Sequence, residues 1–597
     1  MEPVYYGHHY SSLASLSSSD TIFCVPHLRS NMASSSSSSS KQPPRSSTPG
    51  YLPRGGACFS CRRRKMRCDG NHPVCGQCER AGRLEDCEYT SGHEKSTVQI
   101  LEENITRLEA RIRELQNPEL NNAPVTLHQP YAVQDPPRNI AEPLVKGFLV
   151  HASELGFFLN KKKFYESMML SQPVGNSARP SPALIYTVYL WGIRLSDDPA
   201  VKKYEPAYLH RATQDAATAL SGSHPHRIMH SLQAEVLLSA YFFACGRFFE
   251  GKYHVATAVS TLFSAGLHKI RAVSAMAPSL SSSGRLEPPR DSMDEAQRIL
   301  CCWTALILDK SWAIALDHSP NFEYSTHPVS AKIDTPWPLE LEDGTSIPPQ
   351  VRTSDTIQNF LESRLSNDHG VSTWAIQAKA SILWERALLF ARKISGSRSH
   401  SPLISDTSSS NQEGTSPTQS SLDPSQVDLQ PLMHEFGAYT ALIDSVFTQL
   451  PPGNAQTILS SARSSERGRR LGVAYTLLHL AVVVLHGPFA YAGRSDTSRH
   501  QRVASARQIM EMAIALRAMN AGYLNPIIGT AWVEAAQVCY DEIARIRSLR
   551  AGGLQTNDDV ALLALVRQAI GAMAGFGSNM PLISFQVSKI QETFQSV

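Results

Sequence analysis

Apolar residues recur at helical spacing over most of this chain. Val98, Leu101, Ile105, Leu108, Ile112 and Leu115 follow one another at steps of 3, 4, 3, 4 and 3. That register puts a β-branched residue at every a position and Leu at every d position of three heptads, the choice that favours two parallel strands. The flanking e and g positions hold Glu102, Glu109, Asn104 and Arg111, and Asn117-Pro118 ends the run. The pattern predicts a short parallel coiled coil over 98–117 that joins two copies of the chain. A helix of this length is marginal alone, so weak self-association is expected.

From about 140 to 597 the period is 3.6. It is clear at Ser231–Cys245, Tyr253–Leu267, Asp294–Leu316, Leu432–Leu450, Leu471–Leu485, Arg502–Met519, Ala531–Arg547 and Asp558–Met573. Strand-like alternation is scarce. The fold class expected is mainly α, with one large all-α C-terminal regulatory domain over 140–597. Two polar stretches, near 273–290 and 395–430, read as surface loops. The most apolar run, Leu477–Leu485, is stopped by Gly487-Pro488 and falls short of the about 20 residues a membrane span needs. It is expected to be a buried core helix, with no membrane partner.

Residues 1–54 have a different composition. They are rich in Ser and Pro, with an unbroken serine run from Ser34 to Ser40. Such a segment buries too little apolar surface to offset chain entropy, and disorder is expected.

Charge adds one local feature. The net charge of the 597 residues is only +3, so the whole chain is no polycation. Yet Arg62, Arg63, Arg64, Lys65 and Arg67 stand within six positions, interrupted by Met66 alone. Local concentration of this kind suits a DNA-docking surface, and a basic run this short also fits a nuclear import signal.

That run lies among six cysteines, Cys58, Cys61, Cys68, Cys75, Cys78 and Cys87, spaced C-x2-C-x6-C-x6-C-x2-C-x8-C. Six thiolates are too few for two separate four-sulfur zinc sites, but they suffice for two Zn2+ if two of them bridge. A site closed by sulfur on all sides is structural, not catalytic. A disulfide framework is the competing reading. No basic-then-apolar leader is visible in residues 1–24, and Cys24, Cys245, Cys301, Cys302 and Cys539 are scattered, most in apolar surroundings. Zinc is therefore expected.

The stretch from Cys58 to Cys87, with Pro73 two residues before Cys75, resembles the DNA-binding domain of the fungal zinc binuclear cluster transcription factors. The resemblance implies that Cys58 and Cys75 bridge, that Cys61 and Cys68 complete one zinc site, and that Cys78 and Cys87 complete the other. It implies a small cluster domain over 55–90, whose loop from Cys61 to Cys68 is a short helix entering the major groove over a CGG triplet. By position, Arg64 and Lys65 are the base readers, and Arg62, Arg63 and Arg67 the phosphate contacts. Arg64 stands where Lys is more common. Residues 91–97 form the linker.

A second, less specific likeness is to the fungal-specific transcription factor domain. It rests on Ala234-Glu235 through Tyr241 and Gly246-Arg247-Phe248 to Leu267-His268-Lys269. It rests also on Arg298 through Trp303 and Leu308-Asp309 to Ile333-Asp334-Thr335-Pro336-Trp337-Pro338-Leu339. Cys301-Cys302 depart from it where an aromatic often precedes the tryptophan. Together these readings predict a nuclear, zinc-dependent regulator of RNA polymerase II genes. It would bind double-stranded DNA as a homodimer, with transcription co-regulators as further partners. The alternative is a dimerising co-regulator with little DNA binding of its own.

No enzyme motif stands out. There is no P-loop, dinucleotide glycine pattern, H-E-x-x-H or credible G-x-S-x-G. His254, His268, His479 and His486 fall on expected helices and read as surface or satisfied core residues. Tyr241, Phe242, Phe243 and Trp303 read as core in preference to a ligand box.

Overall fold

The computed structural model describes residues 56–89, 135–273, 286–322, 332–340, 352–364, 370–396, 429–462, 464–490, 495–519, 521–551, 558–577 and 580–595. These fall into two compact units, one holding 56–89 and the other 135–595. The segment 1–54, the linker 91–97, the coiled-coil helix 98–117 and most of both polar loops lie outside the described residues.

The small unit has two one-turn helices, α1 (Phe59–Arg63) and α2 (Gly76–Arg80), around buried cysteines. The large unit is helical throughout. Its helices are α3 (Arg138–His151), α4 (Lys161–Met168), α5 (Pro182–Leu195), α6 (Pro199–Lys202), α7 (Glu205–Thr218), α8 (Arg227–Ala244), α9 (Phe248–Ser264) and α10 (Ser292–Ala315). They continue as α11 (Thr356–Leu361), α12 (Thr373–Gly396), α13 (Leu429–Phe447), α14 (Ala455–Ser460), α15 (Ser465–Ala490), α16 (Asp496–Ala518), α17 (Ile528–Ala551), α18 (Asp558–Ala574) and α19 (Pro581–Gln595). Among the described residues the only β pairing is one isolated bridge, Ala272 to Thr353.

Every stretch with clear helical period coincides with one of these helices to within a few residues. Five long helices, α3, α5, α7, α12 and α19, fall outside those stretches. In α5 every residue from Ala183 to Ile193 is buried, and α12 is buried from Trp374 to Glu385. A helix enclosed on all sides has no polar stripe to give it a period. The expectation that Gly487-Pro488 stops the apolar helix is corrected, because α15 continues through Pro488 to Ala490. A proline so near the end removes one ladder bond and leaves the preceding turns intact. α15 is the one described helix long and apolar enough to cross a membrane. Most of its apolar length is enclosed, with α12 and α16 its main neighbours.

The segments that carried the second likeness grip one another. Asp334 donates its backbone N–H to His268 O at 2.8 Å, and Thr335 Oγ1 donates to Leu267 O at 2.7 Å. Trp303 Nε1 donates to Pro336 O at 2.7 Å, and its ring stacks on Trp337 at 4.3 Å between centroids. Asp309 accepts from the backbone of Asn321 and Phe322 at 3.0 and 2.8 Å. His254 meets Glu235 at 2.6 Å, both buried. Tyr241, Phe242 and Phe243 are core residues.

Buried charge knits distant parts of the large unit together. Lys310 of α10 pairs with Glu385 of α12 at 2.9 Å. Arg469 of α15 holds Glu154 at 2.7 Å and Val150 O at 3.0 Å. Its neighbour Arg470 reaches Glu340 at 3.2 Å and stacks on Trp374 at 3.8 Å from the ring centre. None of these partners is close in sequence, so the C-terminal helices and the earlier ones share one core.

Candidate metal centre and nucleic-acid interface

Six thiols converge in the small unit. Cys58, Cys61, Cys68 and Cys75 form one group, and Cys58, Cys75, Cys78 and Cys87 a second. In each group all sulfurs lie within 4.8 Å of one another. Cys58 and Cys75 belong to both. Within these groups the Cys58–Cys75, Cys58–Cys78 and Cys61–Cys75 sulfur separations are 3.6, 3.7 and 3.6 Å. These are far longer than the roughly 2.05 Å of a disulfide. They match the edge of a tetrahedron about 3.8 Å long, which follows from zinc–sulfur bonds of about 2.3 Å. The donor set fits a soft, four-coordinate cation.

The local fold is a pseudo-repeat, and its two halves agree in detail. Cys58 caps α1 by accepting from Cys61 N, and Cys75 caps α2 by accepting from Cys78 N, both at 3.4 Å. The backbone N–H of Cys58 faces Cys68 Sγ at 3.5 Å, and that of Cys75 faces Cys87 Sγ at 3.2 Å. Both helices end in the same motif. Lys65 N donates to Arg62 O and Met66 N to Cys61 O. Gly82 N donates to Glu79 O and Arg83 N to Cys78 O. This paired 5→2 and 6→1 closure requires a left-handed residue. Gly82 supplies it in the second half (φ 65°) and Lys65 in the first (φ 55°).

Electrostatics within the cluster is divided. Burial pushes the Cys61 thiol up to about 12, and Cys58 rises further for the same first cause. Burial acts on Cys75 too, but the Cys78 backbone N–H and neighbouring thiols that donate to its sulfur outweigh it and bring it down to about 6. So close a set of sulfurs cannot hold six negative charges unaided. A divalent cation is what compensates them.

The basic residues stand outside this core. Arg62, Arg63, Arg64, Lys65 and Arg67 are all exposed, as is Met66. The helix expected between Cys61 and Cys68 is shorter than that loop: α1 ends at Arg63, and Lys65 reverses the chain. Arg62 also donates to Ala57 O at 2.8 Å, so part of its guanidinium secures the start of the domain.

Three supporting residues escape a reading of the sequence. Asp69 accepts from Gly76 N at 2.9 and 3.1 Å, and a Cβ on Gly76 would meet its Oδ2 at 2.6 Å. Tyr89 donates to Asn71 O at 2.9 Å, lies 3.7 Å from Cys68 Sγ and packs on His72 at 3.9 Å. Their only signal is position, each adjoining or two residues from a cysteine.

Comparison with known proteins agrees with this geometry. Residues 56–96 match the family model of the fungal Zn(2)-Cys(6) binuclear cluster domain, and residues 148–422 that of the fungal specific transcription factor domain. The chain is 23% identical over 323 residues to the notoamide biosynthesis cluster transcriptional coactivator notQ' of Aspergillus versicolor, covering 49% of this chain and 59% of that protein. It is 40% identical over 76 residues to the citrinin biosynthesis transcriptional activator mrl3 of Monascus ruber, covering 12% and 14%. A 63-residue stretch is 38% identical to transcription factor FBD3 of Gibberella moniliformis (strain M3125 / FGSC 7600), covering 11% and 8%. The matched stretches thus span from under a tenth to somewhat over half of these relatives.

Proposed function

Because the chain belongs to the fungal Zn(2)-Cys(6) transcription factor family, we propose that it is a nuclear, sequence-specific DNA-binding regulator whose cluster holds two Zn2+. The observation that carries this reading is the sharing of Cys58 and Cys75 by two four-sulfur groups beneath an exposed basic run. Cys61 and Cys68 complete one zinc site, and Cys78 and Cys87 the other. When bound, the metal supplies no reaction. It fixes a domain too small to fold on an apolar core alone.

The exposed end of α1 is the reading head. Arg64 and Lys65 offer donors to the paired O6 and N7 acceptors of guanine in a CGG triplet. Arg63 and Arg67 contact phosphate, which gives affinity without sequence information. Arg62 divides its guanidinium between phosphate and Ala57 O. One triplet is too short an address for a genome, so Val98, Leu101, Ile105, Leu108, Ile112 and Leu115 join two chains. The matched relatives are transcription regulators by name, two of them of biosynthetic gene sets. A biosynthetic gene cluster is therefore the target class to search first for paired triplets.

A second reading has one observation in its favour: the longest match is to a protein named a coactivator. In that reading the helical unit works through another DNA-bound protein. Selection of binding sites from random DNA with the zinc-loaded chain separates the two. Two CGG triplets at fixed spacing support the first reading. A single triplet keeps the reading head and removes the coiled-coil dimer. No enrichment, with two zinc ions bound per chain, leaves the co-regulator.

A further inference from the structure

Helix α9 packs its inner face on α8 and α10. Its outer face carries Phe249 and Tyr253, which are 73% and 64% exposed. Among the described residues no other aromatic side chain is as exposed. The two stand four positions apart, so they lie one turn above the other on a single stripe. Ala256, half-buried, and Ser260, exposed, continue that stripe toward the end of the helix. At 3.6 residues per turn all four directions fall within about 60° of the circumference. The stripe carries no charge. Its first half is large and aromatic, and its second half is small. One exposed apolar residue is ordinary, but two aligned aromatics are the side chains that dominate interfaces.

The order of sizes indicates what covers them. A second copy of α9 can be laid antiparallel about a two-fold axis midway between His254 and Val255. Phe249 then faces the partner's Ser260, and Tyr253 faces the partner's Ala256. Each large side chain meets a small one, and the axis repeats the match. A helix from another protein would account for the aromatics, but it gives no reason for small residues at the mirror positions.

The extent of the contact sets its strength. A buried aromatic covers about 150–250 Å², so the exposed parts of four of them amount to roughly 400–700 Å². Specific interfaces begin at roughly 1,200 Å². The α9 pair is therefore too small to hold two free chains and needs a second joint. The coiled coil expected over 98–117 is weak for another reason, its length. Two weak joints between the same two chains support each other, because closing one makes the other intramolecular.

We propose that the outer face of α9 is a two-fold docking surface for a second copy of this chain, closed by Phe249 and Tyr253 against the partner's Ser260 and the partner's Ala256. The contact rests on the dimer read from 98–117 for its local concentration, and not on recognition of any DNA sequence.

Sedimentation equilibrium of the full zinc-loaded chain measures the dimer dissociation constant. Phe249→Glu should raise it at least tenfold and leave the melting temperature unchanged, because the side chain is exposed. Adding Ser260→Arg to the same chain should bring the constant back to within threefold of wild type. Within one chain these two positions lie about 16 Å apart along the helix, so only the other copy can join the two charges. An unchanged constant in Phe249→Glu overturns the proposal, as does a loss that Ser260→Arg does not reverse. In either case a constant raised by Leu108→Pro keeps the coiled-coil dimer and removes only the α9 contact. A chain that stays monomeric at every concentration overturns both.

Discussion

Lys65 stands to Cys61 as Gly82 stands to Cys78. Each lies four residues past its cysteine, each has a positive φ, and each donates its N–H three residues back to close a one-turn helix. Glycine adopts that conformation without strain, whereas an L side chain pays about 1 kcal/mol or more. The chain carries this strain at the residue proposed to touch bases and avoids it in the half that only supports.

Lys65→Gly should therefore separate folding from reading. Cluster stability, followed as zinc retention against a chelator, should hold or rise by up to about 1 kcal/mol. Discrimination of CGG from a scrambled triplet should fall by about 1–3 kcal/mol. A variant that loses zinc and specificity together would assign Lys65 a structural role instead.

Arg67→Ala should weaken specific and random DNA alike. It should also make the slope of log K against log salt shallower by about 0.9 for each phosphate that a chain no longer neutralises. Arg62→Ala should do this too and, by freeing Ala57 O, also lower resistance to the chelator. Parallel salt titrations on the two DNAs distinguish the residues.

Removing zinc should unfold the small unit and spare the large one. Far-ultraviolet circular dichroism of the chelated chain should keep nearly all its helical signal, because the helices of residues 135–595 pack on a core of their own. DNA binding should disappear and return with added zinc. Collapse of the helical signal on chelation would contradict this.

The buried pair Lys310–Glu385 should respond asymmetrically. Lys310→Met takes the ammonium away from the buried Glu385 carboxylate and should destabilise the large unit by about 3–5 kcal/mol in urea unfolding. Adding Glu385→Leu should recover most of that loss, since both charges are then gone.

Acid should destabilise the large unit through its buried histidines. Burial lowers His479 to about 3 and His486 to about 4. Between those values and the ordinary 6.5 the unfolded chain binds more protons, so stability rises with pH and is lost as pH falls through the window. Each histidine contributes a slope of about 1.4 kcal/mol per pH unit. His479→Phe, which keeps the packing on Phe447 and Tyr475, should remove one such slope. Urea melts at pH 5 and pH 6.5 measure it.

What the sequence made legible follows from which features are local. Six cysteines at fixed spacing predict their own convergence, because a short loop can bring them to one place. Amphipathic helices such as α9 and α16 show their period because one face meets water. The enclosed helices α5 and α12 show none. The true extent of α1 is hidden because nothing in the Arg62–Arg67 run marks Lys65 as left-handed; only the alignment with Gly82 does. The Arg469–Glu154 pair spans 315 positions, and no local pattern links its partners.

The backbone N–H of Phe59 donates to Glu88 O at 2.7 Å. That bond ties the chain's exit from the cluster to its entry, at the N-terminal end of α1, while Lys65 lies past the C-terminal end. The domain is thus built like a stylus held by its shaft. Whatever the tether does, lengthening, bending or pairing with a second copy, it moves the grip and leaves the tip's shape alone. On the function proposed above, letters and spacing could then diverge independently: the alphabet would reside in a few side chains at one end, and the grammar in the segment attached to the other.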